Sequence, residues 1–366
     1  MALIHGGDIY TAREVLGKFG DPPQILDFSA NINPLGLPEG VKRAIAESID
    51  TFDIYPDPLC RSLVSALSAH EEVPGDWLLC GNGAADLIFR TAYAVRPKKA
   101  MVLAPTFAEY EEALLAAGCQ VEHFGLSESD GFQTGEGLLD ALDEGLSMLF
   151  LCNPNNPTGQ LMSREFLHRV LQRCNSLGIL LFLDECFNDF LEEPEQYSIK
   201  DYLKEFENLI ILKAFTKIYA MAGIRLGYCM TANAGLLRDI RSAGQPWSVS
   251  APAQLAGISA LAEKDYLEET KALLREEREY LISGLSETGI DVISSNANYI
   301  LIRDENGGGK PLHEALFEKG ILIRNCDNYH GLGPGYYRIC IRKHEDNIKL
   351  IEALAERKDT LWQKQS

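Results

Sequence analysis

The string Phe215-Thr216-Lys217-Ile218-Tyr219-Ala220-Met221-Ala222-Gly223-Ile224-Arg225 places a lysine just beyond an apolar run at 209–212, with an arginine eight residues later. Burial lowers a lysine's pKa and frees its amine, which is what a Schiff-base former needs. Three other strings also put polar groups beyond apolar runs, where open α/β sheets bind ligands. In Leu78-Leu79-Cys80-Gly81-Asn82-Gly83-Ala84-Ala85-Asp86, a strand end meets a Gly-rich turn and a helix start. The backbone N–H groups there suit an anion, although the string serves equally well as a plain turn. Asn153-Pro154-Asn155-Asn156-Pro157-Thr158-Gly159 follows the run at 148–152 and offers two amides on a rigid turn. It reads either as a binding loop or as a tight β-to-α connection. Asp184-Glu185 closes the run at 179–183. A carboxylate there is costly unless it meets a cation or a donor, a helix N-cap being the plain alternative.

The elements that must position these groups are short apolar runs at 100–104, 148–152, 179–183 and 209–212. The last three start about 30 residues apart, the length of a βαβ unit. Between two of them Ser163 is placed to cap a helix carrying Phe166, Leu167, Val170 and Leu171. Continuous apolar strands covered by helices predict an α/β fold, a mostly parallel sheet buried on both faces. Residues 1–35 read as an arm with little regular structure, and 36–252 as the large domain. Residues 253–366 read as a smaller α+β domain: a helix over 253–288 stopped by Gly289, then strands at 299–302, 321–324 and 337–342. Gly307-Gly308-Gly309 reads as a surface turn, since no helix start follows it closely.

The 366 residues carry 34 Lys and Arg against 53 Asp and Glu, a net charge of −19, with 46% apolar residues. That balance argues against nucleic acid and anionic membranes as partners. The apolar runs are far shorter than the ~20 residues of a membrane helix, and residues 1–7 lack a secretory pattern, so a cytoplasmic protein is expected. The nine cysteines form no C-x-x-C pair and read as reduced, buried thiols. The seven histidines are isolated along the chain, and no metal site is expected.

Taken in chain order, the four strings resemble the fold-type I pyridoxal 5′-phosphate enzymes of the class I/II aminotransferase group, over nearly the whole length. The resemblance implies that Lys217 carries pyridoxal phosphate and that Asp184 pairs with the pyridinium nitrogen. It makes Asn156 the donor to the ring O3′. Gly83, Ala84, Ala85, Thr216 and Arg225 would bind the cofactor phosphate, and Tyr110, in Pro105-Thr106-Phe107-Ala108-Glu109-Tyr110, would stack on the ring. Tyr55, in Ile54-Tyr55-Pro56-Asp57, would reach the partner subunit's site, which implies a homodimer with shared active sites. One departure stands out: Phe187 occupies the place where transaminases of this group carry a tyrosine donating to O3′.

Within the group, three strings are similar to members that decarboxylate a small phosphorylated amino acid. They are His5-Gly6-Gly7, Leu26-Asp27-Phe28-Ser29-Ala30-Asn31-Ile32-Asn33-Pro34-Leu35-Gly36, and Ile323-Arg324-Asn325-Cys326-Asp327-Asn328-Tyr329-His330-Gly331-Leu332. Such a substrate brings a carboxylate and a phosphate. The resemblance assigns Arg338 to the carboxylate and Arg324 to the phosphate, with His5, Asn33 and Asn156 as further donors. The alternative is transamination, as in the histidinol-phosphate branch of the group. The bond held perpendicular to the ring decides between them, and a sequence does not set that angle.

Overall fold

The apolar runs assemble into a seven-stranded sheet. A computed structural model describes residues 6–17, 25–304 and 310–365, so the expectations for His5 and for Gly307-Gly308-Gly309 lie outside the described residues. The strands are β1 (Leu78–Gly81), β2 (Lys99–Ala104), β3 (Gln120–Gly125), β4 (Met148–Cys152), β5 (Leu180–Asp184), β6 (Leu209–Ala214) and β7 (Gly227–Met230). Their order is β1-β7-β6-β5-β4-β2-β3, and β7 alone runs antiparallel to both its neighbours. Every residue of β4 and β6 is buried, as expected of strands with helices on both faces.

The helices that matter for the site are α1 (Ile9–Gly17), α2 (Ala84–Val95), α3 (Ala108–Ala116), α4 (Arg164–Leu177), α5 (Phe215–Ile218), α6 (Ala251–Ala260), α7 (Lys264–Glu287) and α8 (His344–Gln365). The cap expected at Ser163 forms, its hydroxyl accepting from Phe166 N at 3.2 Å. Gly289 takes φ +80° after α7, a conformation that favours glycine.

A second, antiparallel sheet comprises β8 (Asp291–Ile293), β9 (Tyr299–Arg303), β10 (Arg324–Asn325) and β11 (Tyr336–Cys340), in the order β10-β11-β9-β8. The strand expected over 321–324 divides in two. Ile321–Leu322 pairs in parallel with Leu26–Asp27, and Arg324–Asn325 joins β11, setting Arg324 opposite Arg338. The helix expected over 253–288 also divides, into α6 and α7. At the break Glu263 turns its carboxylate onto the backbone N–H of Gly40, 2.9 Å away.

Among its described residues the N-terminal segment holds a helix that its composition does not suggest. Asp8 Oδ1 accepts from Thr11 N at 3.0 Å and starts α1, which buries Ala12. Turn residues on either side mask this short helix in the sequence. Ahead of it, Gly7 N donates to Ser29 Oγ at 2.8 Å. A Cβ on Gly6 would stand 2.1 Å from the Ser29 carbonyl oxygen, so only glycine allows this approach.

Candidate active site

The carboxyl ends of β1, β2, β4, β5 and β6 converge on a cavity of about 230 Å³. At one end α2 begins directly after the β1 turn, presenting the N–H groups of Ala84 and Ala85. Arg225 is pressed against this turn: a Cβ on Gly83 (φ +84°) would lie 2.7 Å from the Arg225 guanidinium. A Cβ on Gly227 would lie 2.8 Å from Ala84 N. Two glycines thus let a cation and a helix N-terminus share one small space, where an anion is favoured. Arg225 itself adopts φ +64°, a left-handed conformation that costs a non-glycine residue roughly 1 kcal/mol or more. Thr216 lines the same end.

At the other end Asp184 closes β5, buried at 5% exposure. Its Oδ1 accepts from Cys186 N at 2.8 Å and its Oδ2 from the Tyr110 hydroxyl at 2.7 Å. Burial raises its pKa, while the donors from Cys186 and Tyr110 and the charge of Lys217 oppose that rise. Lys217 sits on α5, between the two ends. Its pKa is lowered, first by burial and then by the positive charge of Arg338. The amine is therefore more readily deprotonated than an ordinary lysine.

The third wall comes from the second sheet. Arg338 on β11 donates from Nη1 to Asn156 Oδ1 at 2.5 Å and from Nη2 to the Ser29 carbonyl at 2.8 Å. With its oxygen taken, Asn156 has its amide NH2 left to donate. The guanidinium lies over the Tyr299 ring at 5.6 Å, and its Nε is buried without a hydrogen-bond partner. Arg324 donates to Asn325 O and to Asn328 Oδ1 and lies over Tyr329 at 5.2 Å. Both arginines are nearly buried and both line the cavity.

Not every expected residue takes its expected place. Asn33 does not face the substrate space: its Nδ2 donates to Ile218 O at 2.8 Å and to Thr270 Oγ1 at 2.7 Å, and its backbone N–H to Lys217 O at 3.1 Å. With its donors spent on the chain around α5, it acts as a positioning residue. Asn31 lines the cavity instead, buried at 2% exposure with Oδ1 unpartnered. The two asparagines sit two residues apart in one turn, and nothing in the sequence separates them. Tyr110 borders the cavity but is fully buried, stacked on Phe150 at 5.2 Å with its hydroxyl spent on Asp184. The more accessible aromatic there is Phe107, two residues after Pro105, which the sequence reading passed over. Tyr55 is 81% exposed, beside Trp247 at 4.9 Å, and is not among the residues lining the cavity. Phe187 packs edge-on against Tyr299 at 5.0 Å and supplies no hydroxyl. A larger, mostly apolar cavity of about 530 Å³ lies beside α1; it shares Ser29 and Arg324 with this one but contains neither the lysine nor the carboxylate.

A lysine of lowered pKa, a buried carboxylate and an anion cradle set around one cavity fit pyridoxal phosphate: amine to aldehyde, carboxylate to ring nitrogen, cradle to phosphate. The family model for aminotransferase class I and II matches residues 23–354, and the chain belongs to that pyridoxal-phosphate-dependent family. More particularly, the chain is 42% identical over 358 residues to the threonine-phosphate decarboxylase of Salmonella typhimurium, covering 97% of each chain. It is 31% identical to the adenosylcobalamin biosynthesis bifunctional protein of Leptospira interrogans, covering 96% of this chain and 40% of that protein. Among solved structures it is similar to the histidinol-phosphate aminotransferase of Clostridium acetobutylicum, with TM-score 0.86 and 31% identity over 92% of this chain and all of the other. No helix among the described residues is long and apolar enough to cross a membrane.

Proposed function

We propose that the chain catalyses the pyridoxal-phosphate-dependent decarboxylation of L-threonine O-3-phosphate to (R)-1-aminopropan-2-ol O-2-phosphate and carbon dioxide, the step that supplies the aminopropanol side chain in cobalamin biosynthesis. The observation that carries this reading is the pairing of Arg324 with Arg338 across β10 and β11, both on the cavity wall. Two guanidiniums beyond the cofactor cradle suit a substrate with two anionic groups. The 42% identity to a threonine-phosphate decarboxylase supports the same reading.

Arg338 takes the α-carboxylate and Arg324 the substrate phosphate, with Asn31 and Asn156 as neutral partners. Gly83, Ala84, Ala85, Thr216 and Arg225 hold the cofactor phosphate. Asp184, whose two donors and the charge of Lys217 favour its ionised form against burial, holds a proton at the pyridine nitrogen, and Phe107 and Tyr110 wall the ring. Pyridoxal phosphate, when bound, supplies the electron sink for the pair left behind on Cα. Arg338 and Asn156 orient the substrate so that the bond from Cα to the carboxylate is the one that breaks. Carbon dioxide leaves, the bonding pair stays with Cα, and the Lys217 ammonium returns a proton there.

The domain division at 35 and 252 belongs to this reading: Gly6 and Asn31 of the 1–35 arm and Arg324 and Arg338 of the 253–366 domain border the cavity in which 36–252 holds the cofactor. So does a cytoplasmic homodimer in which exposed Tyr55 completes the partner's site. Transamination is the second reading, favoured by the likeness to a histidinol-phosphate aminotransferase. Purified holoenzyme given L-threonine O-3-phosphate alone is expected to release carbon dioxide and form no 2-oxo acid. Turnover only with histidinol phosphate and 2-oxoglutarate would establish the second reading in its place.

A further inference from the structure

Outside the cofactor cavity, the fold gathers three metal-ligating side chains from distant parts of the chain. Glu111 comes from α3, His123 from edge strand β3, and His330 from the turn that follows β10. Their ligand atoms all lie within 4.8 Å of one another, and among the described residues this is the one such group. Both imidazoles converge on a single carboxylate oxygen: His123 Nε2 is 3.2 Å from Glu111 Oε2, and His330 Nε2 is 3.7 Å from the same atom. The two rings stack at 4.1 Å. An ordinary histidine–carboxylate pair needs one imidazole. Two imidazoles and one carboxylate on a partly exposed surface are the donor set that borderline divalent cations prefer. Tetrahedral zinc holds its ligands about 3.3 Å apart, near the two separations already present, and the third is no more than 4.8 Å.

The position gives the group a consequence. Tyr329, next to His330, lines the cofactor cavity under the Arg324 guanidinium. Tyr110, next to Glu111, donates to Asp184. Gly331 (φ +82°) packs so closely on the end of β2 that a Cβ would stand 2.7 Å from Ala104 O. We propose that Glu111, His123 and His330 bind one divalent cation of the zinc class, which clasps the 326–332 turn to α3 and β3 at the side of the active site. The cation is positioning, not catalytic, and the proposal holds whichever reaction the cavity runs.

The test is zinc alone, dialysed against the holoenzyme, with bound metal measured by mass spectrometry and hydrogen exchange followed by peptide. One zinc per chain is expected, with slower exchange over 326–332. His123→Gln, His330→Gln and Glu111→Gln should each lose that zinc and that protection, and exposed His70→Gln should keep both. Retention of cofactor absorbance in each variant shows that it has folded. No zinc on the wild type, equal zinc on the Gln variants, or bound zinc that leaves exchange over 326–332 unchanged would each overturn the proposal.

Discussion

Arg338 Nη1 donates to Asn156 Oδ1 at 2.5 Å, joining the centre of the antiparallel sheet to the loop after β4. This contact makes one unit of two tasks. The arginine proposed to meet the substrate carboxylate also fixes which way the Asn156 amide points. Lysine at 338 would keep the charge and lose the fork. Arg338→Lys is therefore expected to raise KM for L-threonine O-3-phosphate by about 10- to 100-fold, the equivalent of one charge-assisted hydrogen bond. Asn156→Ala should shift the cofactor's visible absorbance as well. Steady-state kinetics and spectra of the holoenzymes check both.

The asparagines of the 29–36 turn separate by function. Asn33 ties α5 to Thr270 and its loss strands the buried Ile218 carbonyl and the Thr270 hydroxyl oxygen, so Asn33→Ala is expected to lower stability by about 1–3 kcal/mol. Asn31→Ala should leave the urea midpoint nearly unchanged and raise KM. The opposite pattern would return Asn33 to the substrate wall.

Tyr110 acts on Asp184. Its hydroxyl is one of the groups opposing the burial-driven rise of the aspartate's pKa, and Tyr110→Phe removes it. The carboxylate is then expected to titrate at higher pH, and a pH series of the cofactor's absorbance should show the ring nitrogen losing its anionic partner at a higher pH than in the wild type.

Two buried glutamates make opposite contributions to the pH dependence of stability. Glu71 is held down to about 2 by Lys213, Lys200 and the Tyr228 hydroxyl, despite its burial. Its ordinary value is 4.5, so its contribution is complete above pH 4.5 and is lost as pH falls toward 2. Burial pushes Glu185 up to about 7, so its contribution is present below pH 4.5 and is lost as pH rises to 7. Each shift corresponds to roughly 3 kcal/mol. Glu71→Gln should destabilise the protein at pH 7 and flatten the acid limb. Glu185→Gln should stabilise it at pH 8. Urea midpoints across pH 3–8 measure both.

Much of this arrangement is legible in the residues, for physical reasons. A strand buried on both faces has to be apolar throughout, so 148–152 stands out and coincides with β4. The groups beyond such strands are then marked by position alone, as Asp184 and Lys217 are. Other features leave no such trace. The helix at 9–17 is short and set among turn residues. The split of 321–325 depends on pairing with Leu26–Asp27, far away in the chain. Which of Asn31 and Asn33 faces the cavity is a matter of side-chain direction within one turn. That Tyr110 spends its hydroxyl on Asp184 is a tertiary fact, and so is the meeting of Glu111, His123 and His330. Net charge misleads in a different way: −19 describes the outer surface, while Arg225, Arg324, Arg338 and Lys217 surround the cavity.

The central claim is that the bond from Cα to the carboxylate breaks while the Cα–H bond survives. L-Threonine O-3-phosphate labelled with deuterium at Cα, incubated with the holoenzyme in ordinary water, tests it by NMR of the product. Aminopropanol phosphate that keeps the deuterium and gains one solvent hydrogen at the same carbon is the expected result. Deuterium lost to solvent, with the carboxylate retained in a 2-oxo acid, would contradict the account.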